Sequence, residues 1–358
     1  MTKTKIRHAF AAFLAAGLLT MTHANAQSYS PCDPCMPECC DYCGDWCGGF
    51  EIGADFLYWK ACFDLDYALA SANGAPILLS NTEHQCLKYR YVDNCWEPGV
   101  RGYIKKDDIW CDWALSASYT YIHPTHSDHV RVSNPGAVVP TLFHPQVAHG
   151  PLTEIHASLK FKYQSFDVLF AKDFCPTQCQ TLTPFFGIEG LFTDFRINNE
   201  FVDVGPAQRR WINYDGEYWG VGLKFGTMYD YEICDCFKLF AKGSISLLAG
   251  QQCTSNRQVI QDIPTEGPLS PVSDIAFKVD DECVAVPGWH IGVGLSYTDC
   301  WCGWDISGRI GWEFLHWQNL PFPRRFTTPG EQNIGLSTRA NHHTLGFQGL
   351  FAGLSVGF

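Results

Sequence analysis

The residues of this 358-residue chain best suited to chemistry are its 18 cysteines. Six fall in one run, Cys32, Cys35, Cys39, Cys40, Cys43 and Cys47, within PCDPCMPECCDYCGDWC. Thiolates so spaced bind zinc in a reducing compartment and pair as disulfides in an oxidising one. The first 26 residues set the compartment. Lys3, Lys5 and Arg7 form a basic start, Ala9 to Leu19 an apolar run too short for a bilayer span, and Ala24-Asn25-Ala26 a small-x-small cleavage site. Residues 1–26 are expected to be a secretory signal peptide, whose loss takes the formal charge from −12 to −15. Disulfides are therefore the expected state of the cluster, with metal binding left open.

Other chemistry is sparse. His123, His126 and His129 share one stretch at ligand-like spacing, and His342 and His343 lie near the chain end. Loop histidines are more often solvated than ligating, so no metal site is assigned. The sequence has no Walker loop, no H-E-x-x-H and no G-x-G-x-x-G leading into a helix, and neither an enzyme nor a cofactor is expected. Twenty-five Lys and Arg against 37 Asp and Glu leave no extended basic face for nucleic acid. With 46% apolar, 15% aromatic and only 17% charged residues, the chain can bury a large surface.

The elements that position these groups are strands. Ile109, Cys111, Trp113, Leu115, Ala117, Tyr119 and Tyr121 alternate with a face that carries Ala114, Ser116, Ser118 and Thr120. The same period of two recurs at Ile155 to Tyr163, Trp219 to Phe225, Phe237 to Leu247, Trp289 to Tyr297 and Trp304 to Phe314. These runs exceed the roughly 5 to 6 residues of a sandwich strand and suit a tilted strand crossing a membrane. Trp113 and Tyr121, Trp289 and Tyr297, and Trp304 and Trp312 are each eight positions apart on one face. Such a step projects about 20 Å along the membrane normal, close to the separation of two aromatic girdles.

The expected fold is all-β: a transmembrane antiparallel β-barrel with an even number of strands, about 10–16. Upward strands are expected near 50–61, 109–122, 182–197, 236–250 and 302–316, and downward ones near 95–104, 152–173, 217–233, 286–299 and 344–358. Short periplasmic turns then fall near 105–108, 174–181, 234–236 and 300–301, and long external loops near 62–94, 123–151, 198–216, 251–285 and 317–343. Further hairpins are expected inside the long loops, for instance at Asn256 to Asp262 or Ile275 to Cys283. Between Tyr163 and Phe166 the apolar face passes from odd to even positions, which reads as a β-bulge. Residues 27–48 become a cysteine-rich periplasmic segment and 49–358 the barrel.

This threading sets Cys111, Cys175, Cys179, Cys234, Cys236, Cys300 and Cys302 beside the N-terminal cluster on the periplasmic side. A bridge within Cys234/Cys236 or Cys300/Cys302 would close a strained ring, so other partners are expected: the cluster, neighbouring copies, or other cysteine-rich envelope proteins. Internal staples alone are the competing reading. On the outer side Cys253 and Cys283 are candidates to clip one loop, and Cys62, Cys86 and Cys95 leave an odd member. Lys160, Lys162, Glu189, Lys224, Lys238, Lys242, Asp305, Arg309 and Glu313 fall on the polar face and are expected to line a lumen.

The PCDPC start, the strand GFEIGADFLYWKA, phrases such as YWGVGLKFG and the ending GLFAGLSVGF at Phe358 resemble the major outer membrane proteins of chlamydiae, chlamydia-like bacteria and legionellae. The resemblance implies an abundant outer-membrane porin, commonly trimeric, in a disulfide-linked envelope complex. It assigns Cys32 and Cys35 to cross-linking and Phe358 to recognition by the barrel-insertion machinery. The expected function is passive diffusion of small hydrophilic solutes and ions, with outer-membrane lipid as surroundings and a structural role through cross-linking. The alternative is a plugged structural or adhesive surface barrel without channel activity.

Overall fold

The computed structural model describes residues 49–63, 65–72, 74, 86–92, 95–110, 112–134, 137–142, 152–177, 179–203, 208–234, 236–262, 270–301, 304–321, 323 and 342–358. The expected signal peptide, the cysteine cluster over 32–47, Cys111 and Cys302 lie outside them.

The described residues form fifteen strands: β1 (Phe50–Cys62), β2 (Asp66–Ser71), β3 (Leu87–Tyr91), β4 (Trp96–Trp110), β5 (Trp113–Ile122), β6 (Thr125–Arg131), β7 (Val138–Pro140), β8 (Leu152–Lys172), β9 (Phe174–Thr177), β10 (Gln180–Asp203), β11 (Gln208–Cys234), β12 (Phe237–Asp262), β13 (Ser270–Trp301), β14 (Trp304–Pro321) and β15 (His342–Gly357). Ten of these close an antiparallel ring in the order β1, β4, β5, β8, β10, β11, β12, β13, β14, β15 and back to β1. Closure leaves the ring no open edge, as a bilayer requires of a sheet that crosses it. The seam is held at its lower end by reciprocal backbone bonds, Phe50 N to Phe358 O at 2.8 Å and Phe358 N to Phe50 O at 2.9 Å.

The ring matches the expected threading strand for strand, with three corrections. The first short turn lies beyond the Trp110↔Trp113 pair, not near 105–108, because β4 continues through an irregularity after Lys106. Asn256 to Asp262 and Ile275 to Cys283 add no hairpins of their own; they extend β12 and β13 and pair with each other, Asn256 opposite Phe277. There is no bulge between Tyr163 and Phe166: β8 runs in unbroken register against β10 through both residues.

The odd-to-even switch has another cause. Within the bilayer the outside of the wall must be apolar; above it the outside meets water and the inside becomes a dry core. Along β10, Leu182, Phe186 and Ile188 are exposed on the outer face, which continues as Asp194, Arg196 and Asn198, while Phe195, Ile197 and Phe201 are buried within. On β8, Phe170 faces lipid, whereas Ile155, Leu159 and Tyr163 on the opposite face are buried. The switch therefore marks the upper boundary of the membrane. At 32 residues β13 far exceeds the roughly 9–11 that a span needs, so the wall projects beyond the bilayer.

Aromatic residues rim the lipid-facing belt. Trp304 and Phe358 meet at its lower edge, ring centroids 5.6 Å apart, and Tyr58, Trp96 and Trp312 pack at its upper edge, with 5.4 and 5.7 Å between successive rings. Exposed Phe56, Val100, Ile245, Ile291, Ile310 and Leu354 lie between the two edges. Water would not tolerate an apolar belt of this extent; lipid does.

Candidate functional site

The lumen has two layers. At mid-height, side chains from strands distant in sequence converge. Asp55 of β1 accepts from Arg309 Nε and Nη2, both at 2.8 Å, and from Arg101 Nη1 at 3.3 Å. Arg101 Nη2 also donates to both oxygens of Glu313, at 2.9 and 3.0 Å, and His290 Nε2 lies 2.8 Å from the same carboxylate. A second group sits on the wall from β5 to β12: Lys224 Nζ donates to Glu189 at 2.9 Å and Asp167 at 3.1 Å, Ser246 donates to Glu189, and Ser118 to Asp167 at 3.0 Å. Period-two alternation puts all these residues on inner faces, and the ring brings Asp55 to Arg309 across 254 positions of sequence.

These charges line a cavity of about 320 Å³ that reaches from Trp59 and Leu315 down to Glu51, Lys105 and Asp230. Serines on four strands, Ser116, Ser296, Ser307 and Ser355, line it. Lys242 is also in its wall, with Nζ 5.4 Å from the centre of the Phe185 ring.

Above the charges the lumen is filled. Trp59, Tyr163, Trp317 and Phe347 are each 1% exposed. Phe347 touches Trp59 and Tyr163, with ring centres 5.5 and 5.0 Å away, and Trp317 Nε1 donates to the Tyr163 hydroxyl at 3.2 Å. External segments complete the plug. Buried Phe63, Leu65 and Tyr67 lead into β2, Phe63 sets its ring edge-on to Phe195 at 6.0 Å, and Leu142, past β7, gives its carbonyl to buried Gln258 of β12 at 3.3 Å.

Of the expected lumen residues, Glu189, Lys224, Lys242, Arg309 and Glu313 line the cavity. Lys238 and Asp305 sit at the periplasmic rim, Lys238 paired with Glu232 at 2.9 Å and Asp305 accepting from Cys300 Sγ at 2.8 Å. Lys160 and Lys162 are corrections. They share the outer face of β8, Lys160 exposed and Lys162 with its ammonium 5.7 Å from the Tyr121 ring, because the inner face at that height is apolar. Asp55, Arg101 and Asp167 were not anticipated; the signal was a charge inside an otherwise apolar strand, as in GFEIGADFLYWKA. Gly353-Leu354-Ser355-Val356-Gly357 has the spacing of a nucleophile elbow, but it is regular strand within β15, without the strand-to-helix turn that exposes such a serine.

Among the cysteines, Cys175 and Cys179 are disulfide-bonded. Cys234 and Cys236 are thiols at the turn between β11 and β12. The two members of the expected loop clip carry thiols; Cys283 sits opposite Gln251, two positions from Cys253, beside an irregularity at Gln252/Thr254.

The profile of the family described as Legionella pneumophila major outer membrane protein precursor matches residues 45–358, which is the whole barrel. The chain belongs to this family. Its place is accordingly the outer membrane, and its fold is that of an outer-membrane β-barrel. No curated protein matches it in sequence. Solved structures resemble it more remotely. The Escherichia coli outer membrane protease OmpT is 11% identical, over 87% of this chain and 96% of that one, with a TM-score of 0.41. The P. putida toluene transporter TodX is 8% identical, over 87% and 89%, at 0.29, and a Pseudomonas aeruginosa FadL homologue 9% identical, over 87% and 90%, at 0.24. Likenesses of this order carry no functional argument.

Proposed function

We propose that the protein is an outer-membrane porin for small hydrophilic solutes, closed in this conformation by its own side chains and external segments. The observation that carries this reading is the cavity of about 320 Å³, lined by the mid-height charges and by serines nearer the periplasm. Its serines and charged groups suit water and hydrated solutes. The obstruction above it is made of side chains and short external segments, so a path can open while the backbone ring stays closed. Single-channel recording from the refolded chain in a planar bilayer tests this. Brief, reproducible conductance steps are expected; a folded, inserted protein that stays silent would contradict it.

A second reading, a structural surface barrel without conductance, is favoured by the pairing of the interior charges, since a filled barrel satisfies its charges internally. The same recording separates the two.

We further propose that the periplasmic thiols serve envelope cross-linking, with Cys234 and Cys236 available at an exposed turn and the N-terminal cluster beside them in sequence-based placement. Trimers and disulfide bonds to other cysteine-rich envelope proteins follow as proposals. Non-reducing electrophoresis of intact envelopes should show ladders that collapse with reductant; monomer alone would remove this role.

A further inference from the structure

We infer a transition-metal site on the outer wall of the barrel above the membrane, centred on His129 and His156. Strand registers bring the ligands together. β6 sets His129 opposite His156 of β8, β10 sets Glu200 opposite His156, and β11 sets Trp211 opposite Glu200. Residues directly opposed across antiparallel strands share a face, with Cβ atoms about 4.5–5.5 Å apart. This row faces outward: His129 and His156 are exposed, whereas His126 and Val130 on the other face of β6 are buried. The three histidines of the 123–129 stretch are thus split between faces, and the partner of His129 comes from another strand.

The two imidazoles are stacked neighbours on this exposed face, and rotation about their side-chain bonds lets both turn a nitrogen to one ion. Their centroids lie 5.8 Å apart and their planes 16° from parallel. His156 Nε2 is 2.9 Å from Glu154 Oε1. A metal-ligating histidine commonly gives its other ring N–H to a carboxylate, which fixes the tautomer and raises the basicity of the ligating nitrogen. Glu154 does this for His156 and leaves Nδ1 for the metal. His129 supplies the second nitrogen. A cleft of about 380 Å³ over the row, lined by Ser127, Ser158 and Trp211 among others, leaves room for water ligands.

Among the described residues no three His, Cys, Asp or Glu side chains form a ready metal cage. The site is therefore an open two-histidine chelate. Imidazole nitrogens select Zn²⁺, Ni²⁺ or Cu²⁺ over Ca²⁺ and Mg²⁺, which take oxygen ligands.

Calorimetric titration of the refolded full chain with Ni²⁺ tests the assignment, using wild type, His129→Ala, His156→Ala and Glu154→Gln. With the thiols blocked by alkylation, a histidine site is expected, weakened at least ten-fold by either alanine and by about 10–100-fold by Glu154→Gln. Co²⁺ spectra, taken after the thiols are blocked by alkylation, should show ligand-field bands that both alanine variants lose. Affinity and ligand-field intensity unchanged in both alanine variants would overturn the site.

Discussion

Glu313 accepts two hydrogen bonds from Arg101 and shares a third with His290, while Arg101 also reaches Asp55. Removing one member of such a group leaves its partners' charges enclosed without compensation, a change that costs about 3–5 kcal/mol where pairs are buried. Glu313→Ala should lower stability by about that amount, read as a shifted midpoint in urea unfolding from detergent micelles. A shift below the error of the measurement would mean that water already screens the layer. His126, outside the membrane span, is buried above β5 with Nδ1 3.8 Å from Glu97. Burial holds its pKa below the ordinary value, with Glu97 opposing. The folded state thus favours neutral His126. Its contribution is complete above the unfolded value of about 6.5 and is lost as pH falls through the lower folded value. Amide exchange in β6 should accelerate in that window in wild type and lose the acid dependence in His126→Gln.

At the scale of the strand, period two was readable wherever it was regular, and the ten ring strands and most of their turns followed from it. The alternation states that two faces differ; it does not state which is inside. Lys160 and Lys162, expected in the lumen for that reason, face solvent. Above the bilayer, the apolar face of β8 turns to the core and the lysines to solvent. The same inversion was visible in the sequence as the odd-to-even switch after Tyr163, where a membrane boundary and a bulge give one pattern. The contrast can be tested by reversal potential in a salt gradient: Lys242→Glu should shift conducting channels toward cations, and Lys162→Glu should leave selectivity unchanged. The seam is a second test. A Cβ on Gly349 would lie 2.2 Å from the Tyr58 carbonyl oxygen and 2.8 Å from the Trp59 Cα, backbone atoms that cannot turn aside. Gly349→Ala should cost about 1–3 kcal/mol and reduce the heat-resistant folded band in electrophoresis.

For the whole molecule, the wall is one closed sheet, and its interior passes from a polar periplasmic half through paired charges to an apolar plug. Composition and periodicity could place the chain in a membrane. The plug was not legible, because Trp59, Tyr163, Trp317 and Phe347 come from β1, β8, β14 and β15 and meet only once the ring closes. Paired single-channel recordings of wild type and a Trp59→Ala, Trp317→Ala variant test this account most directly. Each truncation should cost about 3–5 kcal/mol and widen the blocked layer. More frequent and larger openings are expected in the variant than in wild type. A folded, inserted variant with the same conductance record as wild type would contradict it.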